Sequence, residues 1–585
     1  MKKKTTRTTW DLSLIYPTQA DYQKAFASID QLVKKLKTFE GKLHVASQLV
    51  LFLKVYEQFN ITLENVYNYA HLSFDLDMNN PKLQAQYSAV NDIYSKSVSQ
   101  LTFIDQELST LGNKEIKALI VQEPRLADKE FFLQSFGRSK LYLHDQKTES
   151  ILAAYGPVFG ASGQLHTVIH DTDFVFESFT YKGKKYPVND ATVSSYYQHK
   201  DQKVRELAFK HYYKPYIQFK NTFAKLYDTR VRHNVTTART RGYADALTMC
   251  TFPDYITPSI YKTLLEVVRS NTHLITKLNK IRKKNLKVSK LHFYDNYANF
   301  VAHRESKISY EQCVKDFRKS ISLLGDEYTK AFESEIAQGV VDVYPRKGKK
   351  SGGYHNTGYE SGRYIFLNHT DDMQSAYTFA HEWGHALHSY FSNHTQNYYN
   401  AQYPIFLAEI ASTLNEILLT HHLLKQSKSK SEILYHTSFR ASRIQQTLFR
   451  QTMFADFELR AHQAVEKGEA LTATYLDTLY TQLLTQYLGQ GIEIDEELKT
   501  EWARIPHFYS PFYVYKYATS LCAAYAFAKK IINKEPGAVQ GYLKFLSAGM
   551  HKEPLAILKE AGIDMNKTET YEAAMEEFEE LLKSF

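Results

Sequence analysis

Residues 376–391 read AYTFAHEWGHALHSYF, and within them His381, Glu382 and His385 make an H-E-x-x-H. On an α-helix, residues four apart share a face with Cβ atoms about 5–6 Å apart, so His381 and His385 can each bring a ring nitrogen to about 2.0–2.1 Å from one Zn²⁺. Glu382, one step round the helix, is badly placed as a third ligand but can reach a water on the metal and take its proton. A chain with 23 histidines also produces this pattern by accident. A half-buried helix whose histidines bond backbone or water would look the same, so the surroundings have to decide.

A catalytic zinc needs a third protein ligand and one open position. The long-spaced histidine class would put Gly at position 388 and His at 391, where this chain has His388 and Phe391. His388 follows His381 by seven residues on the same face. Three ligands from one straight helix would spread over about 10 Å of axis, so His388 ranks second as a ligand, behind a second-shell or substrate-contact role. The following segment, FLAEIASTLNEILLTHHLL at 406–424, offers Glu409 and Glu416 on one face of an otherwise largely apolar helix. Carboxylates turned toward a core are costly unless paired or bound to metal. Glu409 is therefore expected as the third ligand, with Glu416 orienting a histidine through its free N–H or, equally, standing as an ordinary solvated glutamate.

Just upstream, residues 339–372 (GVVDVYPRKGKKSGGYHNTGYESGRYIFLNHTDD) carry β-branched runs punctuated by glycines. They predict a small sheet with strands at 340–344, 353–354 and 364–368. Far downstream, IPHFYSPFYVYKYATS at 505–520 has a Ser510-Pro511 pair that predicts a helix start, with His507 in the preceding loop and Tyr513 and Tyr517 on one face. Amide hydrolysis builds negative charge on the carbonyl oxygen, which phenol O–H and imidazolium N–H donors stabilise. Taken alone, the cluster reads more readily as a packing stripe.

At 585 residues the chain exceeds the size at which one core keeps growing, so at least two lobes are expected. Residues 19–155 read as successive long helices; in ASQLVLFLKVYEQFNITLENVYNYAHLSF (46–74) apolar residues recur at three and four. FVFESFTYKGKKYPV at 174–188 reads as a hairpin turning at Lys182, Gly183 and Lys184. It sets a boundary near residue 190, giving an N-terminal helical lobe (1–190) and a catalytic domain (191–585). Helical periodicity then resumes, with breaks at Gly242 and Pro253.

Composition is that of an ordinary soluble globular protein, 43 % hydrophobic and 23 % charged, but 44 tyrosines and 35 phenylalanines suit wide helix packing or a peptide-binding cleft. The net charge of +9 is dispersed and no zinc-finger or RNA-binding signature accompanies it, so no nucleic-acid partner is expected. Cys250, Cys313 and Cys522 are odd in number and far apart, which fits a reducing, cytoplasmic compartment. MKKKTTRTTWDLSLIYP starts positive but lacks an apolar core for export. The apolar stretch 512–532 is interrupted by Lys516, Lys529 and Lys530, so no membrane partner is expected either.

Taken together, AYTFAHEWGHALHSYF, Glu409 placed 24 residues after His385, and HFYSPFYVYKYATS resemble the thimet-oligopeptidase group of zinc peptidases, and within it the oligoendopeptidase F branch. RTTWDLSLIYP, ARTRGYADAL at 238–247 and KKSGGYHNTGY extend the resemblance over nearly the whole chain. It implies a mainly α fold, a two-lobed helical clam shell of the zincin type with a small β-sheet next to the active-site helix. It further implies one zinc per chain on His381, His385 and Glu409, with Glu382 as general base and short unfolded oligopeptides as substrates. Gly352, Gly353 and Tyr354 would contact the substrate, a sheet edge pairing with an extended peptide. Transition-state donors would be His507 and one or more of Tyr513, Tyr515 and Tyr517. A zinc exopeptidase on the same helix pair is the rival within chemistry, although no G-x-M-E-N-type amine-recognition run lies near the motif. An inert helical peptide-binding protein is the rival from outside it.

Overall fold

A computed structural model describes residues 7–301 and 307–585 of the chain. The first six residues of MKKKTTRTTWDLSLIYP, on which the export reading turns, lie outside them. The described chain is mainly α-helical with two small sheets. Among the described residues no helix is long and apolar enough to cross a membrane.

The helices form where period and caps coincide. The first begins at Gln19, where Thr18 and Asp21 close a capping box. The segment 46–74 belongs to one 31-residue helix, Ala46–Leu76, whose Leu49, Phe52, Leu53, Phe59 and Leu63 enter a core with Tyr22 and Leu36. The break at Gly242 is a helix C-cap with φ 80°, the left-handed conformation that glycine adopts without steric cost.

The chain divides into two compact units that interleave along the sequence. One takes the chain up to Leu141, a middle stretch ending at Leu423, and Phe527–Ile563; the other takes a stretch beginning at Tyr142, Leu424–Ala526 and Asp564–Phe585. The linear break near residue 190 falls inside the second unit. The hairpin beside it pairs β1 (Phe179–Tyr181) with β2 (Lys184–Tyr186) in antiparallel register. Lys182 and Gly183 both have positive φ, as a two-residue turn of the primed type requires.

In the first unit a three-stranded sheet runs in the order β3 (Val341–Asp342), β5 (Arg363–Phe366), β4 (Tyr354–Thr357). β3 is parallel to β5 and β4 antiparallel to it, with Tyr354 opposite Phe366 and His355 opposite Ile365. All three strands lie where the sequence predicts them, but two are shorter and β4 extends three residues further, to Thr357. β4 is an edge strand. The N-terminal RTTWDLS stretch lies along this sheet: Asp11 donates its N–H to Gly339, and Trp10 packs edge-on to Tyr364 at 5.7 Å.

Two helices follow, Met373–Thr395 carrying the motif and Ile405–Gln426 carrying Glu409 and Glu416. Asp372 starts the motif helix, its carboxylate accepting from the Ser375 N–H at 2.7 Å. One expectation fails in the second unit: the downstream helix begins at Tyr515, not at Ser510-Pro511. Phe512 adopts a left-handed φ of 52°, and its N–H is taken by the buried carboxylate of Glu458 at 3.0 Å. That turn cannot continue an α-helix, so the helix starts after it.

Candidate metal centre

The motif helix and the carboxylate helix touch through their smallest residues. A Cβ on Gly384 would lie 2.4 Å from the Ser412 Cα and 2.7 Å from the Ala411 carbonyl oxygen, so only glycine permits this approach. Trp383 packs away from the site against Phe332, ring centroids 4.7 Å apart, and Tyr377 reaches Thr420 with its hydroxyl at 2.5 Å. The helix faces are thereby fixed, and His381 and His385 point at Glu409.

Three donor atoms converge. The Nε2 atoms of His381 and His385 lie 3.2 Å apart, and the Glu409 Oε2 lies 3.5 Å from the first and 4.0 Å from the second. Four ligands about 2.0–2.1 Å from a tetrahedral ion are separated by roughly 3.3 Å, so the set is close to ligation geometry. Two imidazole nitrogens and one carboxylate oxygen fit a borderline divalent cation, and the residues could hold one. The opposite ring nitrogen of His381 is engaged, its Nδ1 lying 2.8 Å from the Glu416 Oε1, and the His385 Nε2 faces the His381 Nε2 directly. Both therefore present Nε2 to the centre. Ser412 donates its hydroxyl to the Glu409 Oε2 at 3.2 Å.

The electrostatics separate His381, His385 and Glu382. Burial alone would push the His381 pKa down, but the bonded Glu416 carboxylate, with Glu382 and Glu409, raises it to about 9. His385 is held well below its ordinary value by burial and by the neighbouring His381. Glu382 is 7 % exposed; burial pushes its carboxyl up to about 7, opposed by His381 and reinforced by Glu409 and Glu416. A carboxyl near neutrality can both take and return a proton.

His388 is on the motif helix but outside this convergence. Its ring stacks on Tyr403 at 3.7 Å and packs against Phe545 at 5.1 Å, and neither ring nitrogen has a hydrogen-bond partner among the described residues. Burial pushes its pKa down to about 3, so it stays neutral. A histidine that the sequence reading passed over stands nearer: His355 on β4, whose ring centroid is 6.3 Å from that of His385. Burial holds it at about 3 as well, and its Nε2 has no partner among the described residues. Its only sequence signal is its place directly after Gly352, Gly353 and Tyr354. Those three lead into the edge strand, and Gly352 has φ 89°.

In the second unit His507, Tyr513 and Tyr517 gather: His507 to Tyr513 is 6.2 Å between centroids, His507 to Tyr517 6.4 Å, and Tyr513 to Tyr517 5.5 Å. Burial and Arg504 lower the His507 pKa. Tyr515 does not join them. It is fully buried against Tyr261 at 5.0 Å, its hydroxyl without a partner among the described residues.

An H-E-x-x-H helix, a glutamate from the next helix closing the donor set and an edge strand alongside together define a metallopeptidase. The chain belongs to peptidase family M3, whose model matches residues 195–577, with the Oligopeptidase F model matching residues 107–176. It is 32 % identical to the oligopeptidase PepF of Bacillus subtilis (strain 168) over 98 % of this chain and 86 % of that protein. A crystal structure from Chlamydophila abortus superposes with a TM-score of 0.92 at 32 % identity, covering 100 % of this chain and 99 % of the other. Oligoendopeptidase-F from Enterococcus faecium superposes with a TM-score of 0.74 at 30 % identity, covering 96 % and 98 %. The protein is a metalloendopeptidase of the oligoendopeptidase F group.

Proposed function

We propose that the chain is a zinc-dependent oligoendopeptidase that cuts internal bonds of short, unfolded peptides in the cytoplasm. The observation that carries this reading is the convergence of His381, His385 and Glu409 next to a buried Glu382. A zinc ion held by His381, His385 and Glu409 would supply Lewis-acid chemistry to the scissile carbonyl and to water. Glu382 accepts the proton of the attacking water and delivers it to the leaving amine nitrogen; its position near neutrality suits both directions. Glu416 keeps the His381 Nε2 turned inward. Gly352, Gly353 and Tyr354, at the start of an edge strand, offer backbone groups to an extended peptide. The names of the oligopeptidase and oligoendopeptidase relatives support peptides rather than folded proteins as substrates. Family resemblance implies His507 and one or more of Tyr513, Tyr515 and Tyr517 as donors to the developing oxyanion, and the mutual packing of His507, Tyr513 and Tyr517 supports assigning the role within those three. Three free cysteines suit the reducing compartment.

The test is metal content and peptide hydrolysis for the parent protein and three variants. Glu382→Gln is expected to keep one zinc per chain and to lose hydrolysis; Glu409→Ala to lose the metal; His388→Ala to retain it. A metal-free parent whose hydrolysis survives Glu382→Gln would reject the mechanism. End-blocked peptides separate the endopeptidase from an exopeptidase, because an exopeptidase fails on them.

A further inference from the structure

Asp75 closes the Ala46–Leu76 helix and is 1 % exposed, an expensive place for a carboxylate. Its Oδ2 accepts from the Tyr354 hydroxyl at 2.7 Å, from the Lys350 ammonium at 3.1 Å and faces the His71 Nε2 at 3.2 Å. Its backbone carbonyl accepts the Lys350 N–H at 3.0 Å, and three residues on, Met78 donates its N–H to Gly348 at 2.7 Å. Burial alone would raise its pKa, yet the bonds from His71, Tyr354 and Lys350 hold it below the ordinary carboxylate range. The Tyr354 ring is clamped between His71, 5.8 Å away and nearly parallel, and Phe366 at 4.9 Å. On the other side of the loop Asn368 donates to the carbonyls of Lys350 and Gly352 at 2.9 and 2.8 Å. The segment from Gly348 to the start of β4 is thus held from two sides, by Asn368 and by the helix end at Asp75, which precedes Lys350 by 275 residues. Strand pairing fixes only residues from Tyr354 onward.

We propose that Asp75 is a positioning residue for peptide binding: through Tyr354 and Lys350 it sets where Gly352 and Gly353 present their backbone at the open end of β4. The proposal rests on the reading of Gly352, Gly353 and Tyr354 as the peptide-contacting segment. Alternation along the strand turns Tyr354 toward the Ala46–Leu76 helix and His355 toward the motif helix, so the same strand meets the anchor with one face and the metal centre with the other. A bond network between a charged acceptor and two donors contributes enough to hold one backbone conformation, and its loss lets the segment sample others.

The experiment measures kcat and KM of the metal-loaded full chain on an internally quenched oligopeptide, with zinc content and hydrogen exchange of residues 350–357. The variants are Asp75→Asn, Asp75→Ala, Tyr354→Phe, Lys350→Met and Gly353→Ala. Asp75→Ala and Tyr354→Phe are each expected to raise KM about tenfold with kcat within about twofold, which is the signature of lost ground-state binding. Asp75→Asn, which keeps one acceptor, recovers part of the loss, and Asp75→Ala with Tyr354→Phe together is no worse than Asp75→Ala alone. Exchange in 350–357 quickens while zinc content holds. If Asp75→Ala does not fold, Tyr354→Phe and Lys350→Met carry the test, since both leave the aspartate in place. Gly353→Ala shifts the segment directly, because its Cβ would meet the Thr378 Cγ2 at 3.0 Å and the Phe366 oxygen at 3.3 Å. If it raises KM while the Asp75, Tyr354 and Lys350 variants do not, the positioning role is overturned and the peptide-contact reading stands. Should Gly353→Ala also leave KM unchanged, both fall. A fall in kcat accompanied by zinc loss would show general damage and would likewise overturn the role.

Discussion

The Glu416 Oε1 sits 2.8 Å from the Nδ1 of His381, so a carboxylate two turns beyond Glu409 holds the tautomer of the imidazole proposed to bind the metal. Both glutamates come from one helix, and their seven-residue spacing lets one face the centre and the other the back of its ligand. Glu416→Gln retains an acceptor of the same shape but removes the charge. Metal affinity is expected to fall about 10- to 100-fold, with secondary structure unchanged. Competition with a chelator of known affinity measures it; an unchanged affinity would leave Glu416 as a packing residue.

The same contact makes metal capture pH-dependent. In the metal-free protein His381 carries a proton up to about pH 9, while His385 is already neutral. Ligation needs the Nε2 lone pair, so one proton must leave. Apparent zinc affinity is therefore expected to rise about tenfold per pH unit between about 7 and 9, then level off. Stability of the metal-free protein runs the other way. The raised pKa of His381 contributes stability that is fully present below the unfolded value of 6.5 and is lost as pH rises through about 9. Titrations with a zinc indicator and thermal melts in chelator across that range check the two slopes.

Gly384 has no chemistry, yet the site depends on it. A methyl there would stand 2.4 Å from the Ser412 Cα, and backbone cannot rotate away as a side chain can. Gly384→Ala is expected to push the two helices apart, cost about 1–3 kcal/mol of stability and weaken zinc binding at least tenfold. Metal content and a denaturant melt of the variant decide it; full zinc occupancy at parental stability would contradict the packing argument.

Acid sensitivity is expected from the second unit. Glu501 is fully buried and accepts from Arg450 at 2.6 Å, Arg504 at 3.1 Å, Tyr213 at 2.8 Å and Tyr480 at 2.7 Å. Burial would raise its pKa, but the two guanidiniums and the tyrosine bond depress it to about 2. A depressed carboxyl contributes stability that is present above its ordinary value of 4.5 and is lost as pH falls through about 2. Glu501→Gln leaves two arginines without their counter-charge and should cost about 3–5 kcal/mol at neutral pH, with a flatter acid limb. Urea melts of both proteins from pH 7 to pH 3 give the comparison.

What the sequence made legible was local. The sharing of one helix face by His381 and His385 follows from their spacing and Glu409 from a carboxylate on an otherwise apolar helix, whereas Glu416, equally readable as a solvated glutamate, finds its histidine only once the two helices pack, 35 residues apart. His355 escaped because YHNT lacks the β-branched run that marks a strand; its place is fixed by pairing with residues 363–366 and by the motif helix behind it. The helix start near Ser510 was misplaced because the left-handed turn at Phe512 is held by Glu458, 54 residues upstream. Asp75 carries no signal of this role, since Lys350 and Tyr354 reach it from 275 residues or more further along the chain. The interleaving of the two units is equally non-local.

The misplaced helix start bears on which tyrosine acts. An uninterrupted helix from Ser510 would give Tyr513, Tyr515 and Tyr517 regular spacing, but the turn at Phe512 instead seats Tyr513 ahead of the helix, edge-on to Tyr517 and parallel to His507. Tyr515 is driven into the core, where removing an unpartnered hydroxyl is neutral or slightly stabilising. Tyr513→Phe and Tyr517→Phe are therefore the informative pair. A donor to the oxyanion acts only as charge develops, so its loss is expected to lower kcat about 10²- to 10³-fold with KM nearly unchanged. Tyr515→Phe is expected to keep kcat within about twofold. Single-turnover kinetics on one peptide, with zinc content matched, separate the three. A loss of rate at Tyr515 with none at Tyr513 or Tyr517 would mean that the clustered rings are packing and that the buried hydroxyl turns outward in the working enzyme.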